Sequence, residues 1–119
     1  MTLTNPITMA TQYPYTQSAN LVNSVTTNTV VSLNGGMQVA TISFNNPSGL
    51  LGQITLSPVQ PTANNVEFKR GNQVVFIETI SFRAAFGFDS GQVTCNGEAT
   101  DQDGNNKTPF NAQIASWSN

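Results

Sequence analysis

Runs of alternating apolar and polar residues, separated by turn-forming residues, recur along most of this chain. In Met37–Phe44, for example, Ala40, Ile42 and Phe44 fall on one side of an extended chain. The runs are rich in Val, Ile, Thr and Phe, which favour strands, and no segment shows sustained helical periodicity. The pattern predicts an all-β fold.

Clusters of Gly, Asn and Pro divide the chain into candidate strands. Asn34-Gly35-Gly36 predicts a tight hairpin turn, because glycine supplies the positive φ that such turns need. Lys69-Arg70-Gly71-Asn72 predicts a second hairpin in the same way. The candidate strands are Val25–Leu33, Met37–Phe44, Leu50–Leu56, Val66–Phe68, Gln73–Phe82, Gln92–Thr100 and Thr108–Ser118.

Two of these strands contain residues that need a separate explanation. In Gln73–Phe82, Glu78 falls on the apolar face, which indicates either a β-bulge or a strand that runs past the core. In Thr108–Ser118, alternate apolar residues up to Ile114 point inward, and the same alternation places Trp117 outward.

The tetrapeptide Thr-Ile-Ser-Phe occurs twice, at Thr41–Phe44 and at Thr79–Phe82, and Gly49 and Gly87 follow the two copies at the same spacing. Chance is the alternative in a chain so rich in Thr and Ser. A true repeat favours two similar halves that face one another, as in a jelly roll. We therefore expect an antiparallel Greek-key β-sandwich, jelly-roll-like, over residues 25–119.

Residues 1–24 are polar and irregular, with Pro6 and Pro14, and predict an N-terminal arm that contains at most one short strand. An arm of this kind can add a strand to the sheet edge of a neighbouring subunit. We expect Thr2–Asn20 to act as such an exchanged arm. Its deletion should then leave the fold intact and abolish assembly.

The low content of charged residues restricts the classes of function that suit this chain. Charged side chains make up 8% of the 119 residues and the net charge is −2, whereas ordinary domains contain about 25% charged residues. Hydroxyl and amide groups must therefore keep the surface polar, and a small net charge favours association. This favours a subunit of an assembly, or a protein outside the cell, over a domain that is merely poor in charge.

The basic residues are too few and too scattered to neutralise a phosphate backbone, so we expect no nucleic acid partner. No apolar run reaches the length of a membrane span, and we expect no membrane insertion. The first residues do not resemble a classical signal peptide. We expect the protein to be extracellular or part of a virion.

The sequence shows none of the usual combinations of catalytic side chains. The chain has no histidine, which removes the usual base near neutral pH and the commonest transition-metal ligand. Its single cysteine, Cys95, is best explained as a small buried apolar residue, with an interchain disulfide as the alternative. The six acidic residues show no spacing that pairs them in a cleft. We expect no catalytic residues and no cofactor.

One segment has the composition of a calcium loop. Asp101, Asp103 and Asn105 alternate along Asp101-Gln102-Asp103-Gly104-Asn105, and oxygen ligands so spaced suit Ca²⁺. The glycine stands fourth, however, and not sixth as in an EF-hand. Because Asp-Gly and Gly-Asn are also common turn pairs, a simple hairpin turn is the favoured interpretation.

Three aromatic residues lie outside the predicted core: Tyr13 and Tyr15 in the arm, and Trp117 on the outward face of the last strand. Aromatic residues anchor protein interfaces, pack within domains and stack against sugars. All three alternatives stay open for these side chains.

The composition, the arm and the absence of catalytic residues together predict a non-enzymatic structural subunit that self-assembles. A virion component, an extracellular fibre and a surface layer all fit this description. The alternative is a small carbohydrate-binding module, a lectin, in which the aromatic residues contact glycans and the Asp101–Asn105 loop binds Ca²⁺.

Overall fold

The fold is known from a computed structural model that describes residues 12–21, 24–47, 49–67, 77–99 and 106–118. Within these ranges the chain forms strands and no helix, and therefore no helix that could cross a membrane. The predicted all-β fold is confirmed. The eight strands are β1 (Tyr15–Asn20), β2 (Thr26–Asn34), β3 (Met37–Asn46), β4 (Gly49–Leu56), β5 (Thr62–Glu67), β6 (Ile77–Gly87), β7 (Ser90–Ala99) and β8 (Thr108–Trp117).

The strands form two antiparallel four-stranded sheets. Sheet I contains β1 to β4 and sheet II contains β5 to β8, each in chain order. The Greek-key order that we expected is not confirmed, because hydrogen-bonded neighbours among the described strands follow one another directly along the chain. Tight turns explain this order. Asn34 pairs with Met37 across Gly35-Gly36, as predicted, and Gly87 pairs with Ser90.

Buried side chains from both sheets form one core. Phe44 of β3 and Phe82 of β6 contact each other at its centre, with ring centroids 4.8 Å apart. These are the phenylalanines of the repeated tetrapeptide, so its two copies meet across the core. The architecture is therefore sandwich-like, with each sheet a meander of four strands.

The antiparallel order places certain turns at the same end. β1 contacts β8 and β4 contacts β5, so sheet I lies over sheet II in reversed strand order. The starts of odd-numbered strands and the ends of even-numbered strands lie at one end, which we call the near end. It includes Gly35-Gly36, the Ser57–Gln60 turn and Phe88-Asp89. The connection from β7 to β8 belongs to the opposite, far end.

A β-bulge in β8 turns Trp117 inward, contrary to the prediction. Val93 lies opposite Ala115, but the residue after Val93 lies opposite Gln113, so Ile114 is an extra residue in β8. One extra residue shifts the alternation of every side chain beyond it. Ile114 and Ala115 are consequently both buried, and Trp117 is only 4% exposed. The prediction that it points outward was wrong.

A second irregularity lies beside Glu78. Ile77 pairs with Ala99 and Ile80 pairs with Gly97, so β6 also has one residue more than β7 over this stretch. Of our two explanations for Glu78, this geometry favours the bulge. The predicted turn at residues 69–72 lies outside the described residues.

A separate N-terminal arm is not confirmed. Residues 1–11 lie outside the described residues, and β1 pairs with β2 of the same chain from Tyr15 opposite Val31 to Asn20 opposite Thr26. The side chains of Tyr15 and Ala19 pack against the core. The second half of the predicted arm is thus an edge strand of sheet I.

Candidate functional site

A buried amide links the two sheets at the near end. The strict alternation of β3 turns Gln38 inward, where it is 8% exposed. Its Nε2 group donates a hydrogen bond to the Gly87 carbonyl at 2.9 Å. Its Oε1 atom accepts one from Trp117 Nε1 at 2.6 Å. The amide is therefore satisfied at both ends, as a buried polar group must be.

Tyr13 extends this network to a carboxylate. Its hydroxyl donates to Asp89 Oδ1 at 2.5 Å and also lies 3.4 Å from Gln38 Oε1. Desolvation, and then the hydrogen bond and the negative charge of Asp89, raise the pKa of Tyr13 to about 12. The phenol consequently stays protonated into the alkaline range and serves as a hydrogen-bond donor to Asp89.

Trp117 is a packing residue in this arrangement. Its ring centroid lies 6.2 Å from that of Tyr15 and 6.0 Å from that of Phe86. Gly91, on the neighbouring strand, leaves room for the indole, since an added Cβ atom there would overlap the ring. The three predicted aromatic residues do meet at the near end, but the indole is almost fully covered.

Side chains of β1 also close the seam between β1 and β8. The Tyr15 hydroxyl donates to the Ser116 carbonyl at 2.8 Å, and the Ser116 N–H donates to Gln17 Oε1 at 2.9 Å. Both are backbone groups of an edge strand, which would otherwise be open to pairing with another chain. β1 therefore protects this edge of sheet II.

An exposed apolar surface surrounds this network. We define the near-end patch as Leu33, Pro58, Val59 and Phe88. Phe88 is 94% exposed, Val59 81% and Leu33 50%. Val59 and Phe88 occupy the tips of two-residue turns, where a side chain has little to pack against.

The patch borders a pocket of about 470 Å³ at the near end. Leu33, Pro58 and Phe88 line it together with Tyr13 and Gln38. This site was not predicted from the sequence. The signal was an apolar residue at the tips of two turns, Val59 and Phe88, but the proximity of the turns is a property of the fold.

The outer face of sheet I carries no charge. No charged residue precedes Glu67 in the sequence, so the four basic and six acidic residues all lie from Glu67 onward. Cross-strand hydrogen bonds connect some of its polar side chains, from Ser18 to Asn28 at 3.2 Å and from Gln53 to Ser43 at 3.0 Å. Two rows cross this face: Thr16, Val30, Thr41 and Thr55; and Ser18, Asn28, Ser43 and Gln53.

The candidate calcium ligands Asp101, Asp103 and Asn105 lie outside the described residues. Elsewhere, the described part of the chain contains no group of three His, Cys, Asp or Glu residues that could hold a metal ion. Cys95 is buried in the core, as predicted, and burial raises the pKa of its thiol to about 11.

Comparison of this chain with models of protein families, with curated proteins and with solved structures finds no match. The surfaces of the fold are therefore the basis for a functional proposal.

Proposed function

We propose that this protein is a non-enzymatic structural subunit that assembles with copies of itself into a virion, an extracellular fibre or a surface layer. The charge-free outer face of sheet I carries the proposal. Burying an ionised side chain in an interface is costly, and interface centres are depleted in charge. This face contains nothing that must be neutralised before another copy can cover it.

The polar groups on the face also lose little on burial. The hydroxyl of Ser18 and the amide of Gln53 already hydrogen-bond to neighbouring side chains of the same sheet. Such groups need fewer new partners when water is excluded. The outer face of sheet II differs, because it exposes Arg83 and Glu98.

The size of the face suggests that it acts together with a second contact. Four strands about 4.8 Å apart, over about seven residues at 3.4 Å each, give roughly 450 Å². A standard interface buries about 800 Å² per partner. The face supplies about half of that area, and the near-end patch is an apolar surface that can supply a second contact.

The test compares two variants, each of which adds one carboxylate to the outer face of a different sheet. Thr41→Glu charges the outer face of sheet I from an inner strand, and Thr94→Glu is the matched change on inner strand β7 of sheet II. Sedimentation velocity over a range of concentrations measures self-association. We expect Thr41→Glu to weaken it at least tenfold, about 1.4 kcal/mol, and Thr94→Glu to leave it nearly unchanged.

Negative-stain electron microscopy of the unmodified chain completes this test. We expect filaments, rings or shells at micromolar concentration. A chain that stays monomeric throughout, or equal losses for the two glutamate variants, would contradict the proposal.

A second candidate is a small carbohydrate-binding module. It is favoured by the fully accessible ring of Phe88 beside a pocket that Gln38 and Asp89 also line. Ligand pockets typically combine apolar walls with a few polar groups in about 300–1,000 Å³. The test is a glycan array with and without Ca²⁺, with Phe88→Ala as the matched variant. Binding that this variant loses supports the candidate, and an array without hits contradicts it.

A further inference from the structure

We propose that the near-end patch binds residues 1–11 of a second copy of the chain. This inference rests on the proposed self-assembly. It adds a second contact, which is needed because the outer face of sheet I is smaller than a standard interface. The patch brings Leu33, Val59 and Phe88 to the surface beside the 470 Å³ pocket. They are three of the four large hydrophobic residues that are exposed in the described part of the chain.

The patch suits an apolar occupant. The polar side chains behind it are already engaged, since Gln38 bonds to Gly87 and Trp117, and Tyr13 donates to Asp89. New contacts with the patch would therefore come chiefly from the exposed apolar side chains. An occupant needs at least two apolar side chains that project from the same side.

Residues 1–11 have that pattern. Met1, Leu3, Ile7 and Met9 occupy odd positions, and threonines occupy most even ones. In an extended chain the apolar side chains then share one side. Pro6 lacks an N–H group, which disfavours a continuous ladder and favours docking through side chains. The segment also has no charged residue.

The attachment point allows two copies to exchange these segments. Residue 11 adjoins Gln12, and Tyr13 itself lines the pocket, so the segment is attached to the chain beside the patch. Eleven extended residues reach at most about 40 Å. Two copies placed near end to near end could each bind the other's segment, which gives a closed two-fold contact.

To bind its own patch, the segment would have to turn back over the near end just before Tyr13, because β1 starts at Tyr15 and runs away from this end. The residues available for it, Met9-Ala10-Thr11-Gln12, include no Gly, Pro, Asn or Asp. Those residues dominate tight turns because of their backbone preferences. The local sequence therefore favours binding to a neighbour over binding to the chain's own patch.

Disulfide trapping in the full chain tests this contact. Leu3→Cys is mixed with isotope-labelled Phe88→Cys, oxidised mildly and analysed by mass spectrometry. Leu50→Cys is the matched control, because Leu50 is 64% exposed but lies near the far end, where it pairs with Asn45. The native Cys95 is buried and its thiol pKa is raised to about 11, so it competes little.

We expect the mixed disulfide between Leu3→Cys and Phe88→Cys to form at least tenfold faster than the one with Leu50→Cys. Val59→Cys provides a second position on the patch if Phe88→Cys folds poorly. Equal rates at the patch and at Leu50 would overturn the inference. So would an internal disulfide, without dimers, in a chain that carries both Leu3→Cys and Phe88→Cys.

These outcomes are separable from failure of the proposed function. Self-association that Thr41→Glu weakens, without preferential trapping at the patch, removes only this inference. A chain that is monomeric at every concentration and shows no trapping overturns both.

Discussion

Gln38 is the residue on which the near end depends. Its amide accepts a hydrogen bond from Trp117 and donates one to Gly87. It therefore connects β3 of sheet I with the ends of β6 and β8 of sheet II. An apolar residue in its place would leave the buried Trp117 N–H group without its partner, at a cost of about 1–3 kcal/mol, and would also remove the bond to the Gly87 carbonyl. An amide is suited to the position because it offers a donor and an acceptor together.

Tyr13 predicts a pH dependence. Its pKa is raised from 10.0 to about 12 in the folded chain, so the folded state holds the phenolic proton more tightly than the unfolded state. This contribution to stability is fully present below about pH 10 and is lost as the pH rises towards 12. Urea unfolding across this interval should show the loss.

Tyr13→Phe should reduce that alkaline loss of stability, because no phenol remains to ionise there. Tyr15→Phe is the control, and it should keep the full loss. Equal pH dependence in both variants would show that the alkaline transition arises elsewhere in the chain.

At the scale of the strand, Gly91 determines whether Trp117 can be buried. A Cβ atom at Gly91 would overlap the indole and lie 2.9 Å from the Ala85 carbonyl oxygen, and neither neighbour is a flexible chain end. We expect Gly91→Ala to lower the free energy of unfolding by about 1–3 kcal/mol, as overpacking does. Urea denaturation followed by tryptophan fluorescence measures it.

Gly52→Ala is the matched control, since Gly52 is also a strand glycine without positive φ, and its added methyl group would meet open space. We expect a change within about 0.5 kcal/mol there. A similar loss in both variants would mean that backbone effects, and not the indole, set the requirement for glycine.

The strands also show what could be predicted from the sequence. The hairpin at Gly35-Gly36 and the inward face of β3 were predictable because both follow from local rules, turn chemistry and alternation. The bulge at Ile114 was not, because it is defined by pairing with β7. Strand order was missed for a different reason, since the repeated tetrapeptide favoured a Greek key, whereas in both sheets each strand pairs with the next one along the chain.

The candidate site was predictable only in part. Tyr13, Tyr15 and Trp117 were recognised as residues of one kind, and they do come together. Val59 and Phe88 were not, because the exposure of a turn residue depends on which other turns surround it. The network around Gln38 joins residues 79 positions apart, and no local pattern indicates such a pair.

For the whole molecule, the two halves of the expected arm have different roles. Residues 15–20 are an edge strand whose side chains pack on the core, and Gln17 satisfies the Ser116 N–H of the opposite sheet. Residues 1–11 precede it and are the segment that we propose a neighbour binds. Our first expectation, that removal of Thr2–Asn20 leaves the fold intact, therefore needs revision.

Two deletions separate these roles. Removal of residues 2–11 should leave the free energy of unfolding nearly unchanged and reduce self-association. Removal of Thr2–Asn20 should lower the free energy of unfolding by roughly 3 kcal/mol or more, because half-buried Tyr15 and Ala19 and a full set of ladder hydrogen bonds are lost. It also uncovers the edges of β2 and β8, which then become open to irregular aggregation.

Urea denaturation measures the first quantity, and sedimentation velocity distinguishes a discrete monomer from an aggregate. If the chain without Thr2–Asn20 is as stable as the full chain, β1 is not an integral strand and the original view of a free arm is restored. If the chain without residues 2–11 associates as strongly as the full chain, the near-end patch has another partner and the faces of sheet I suffice for assembly.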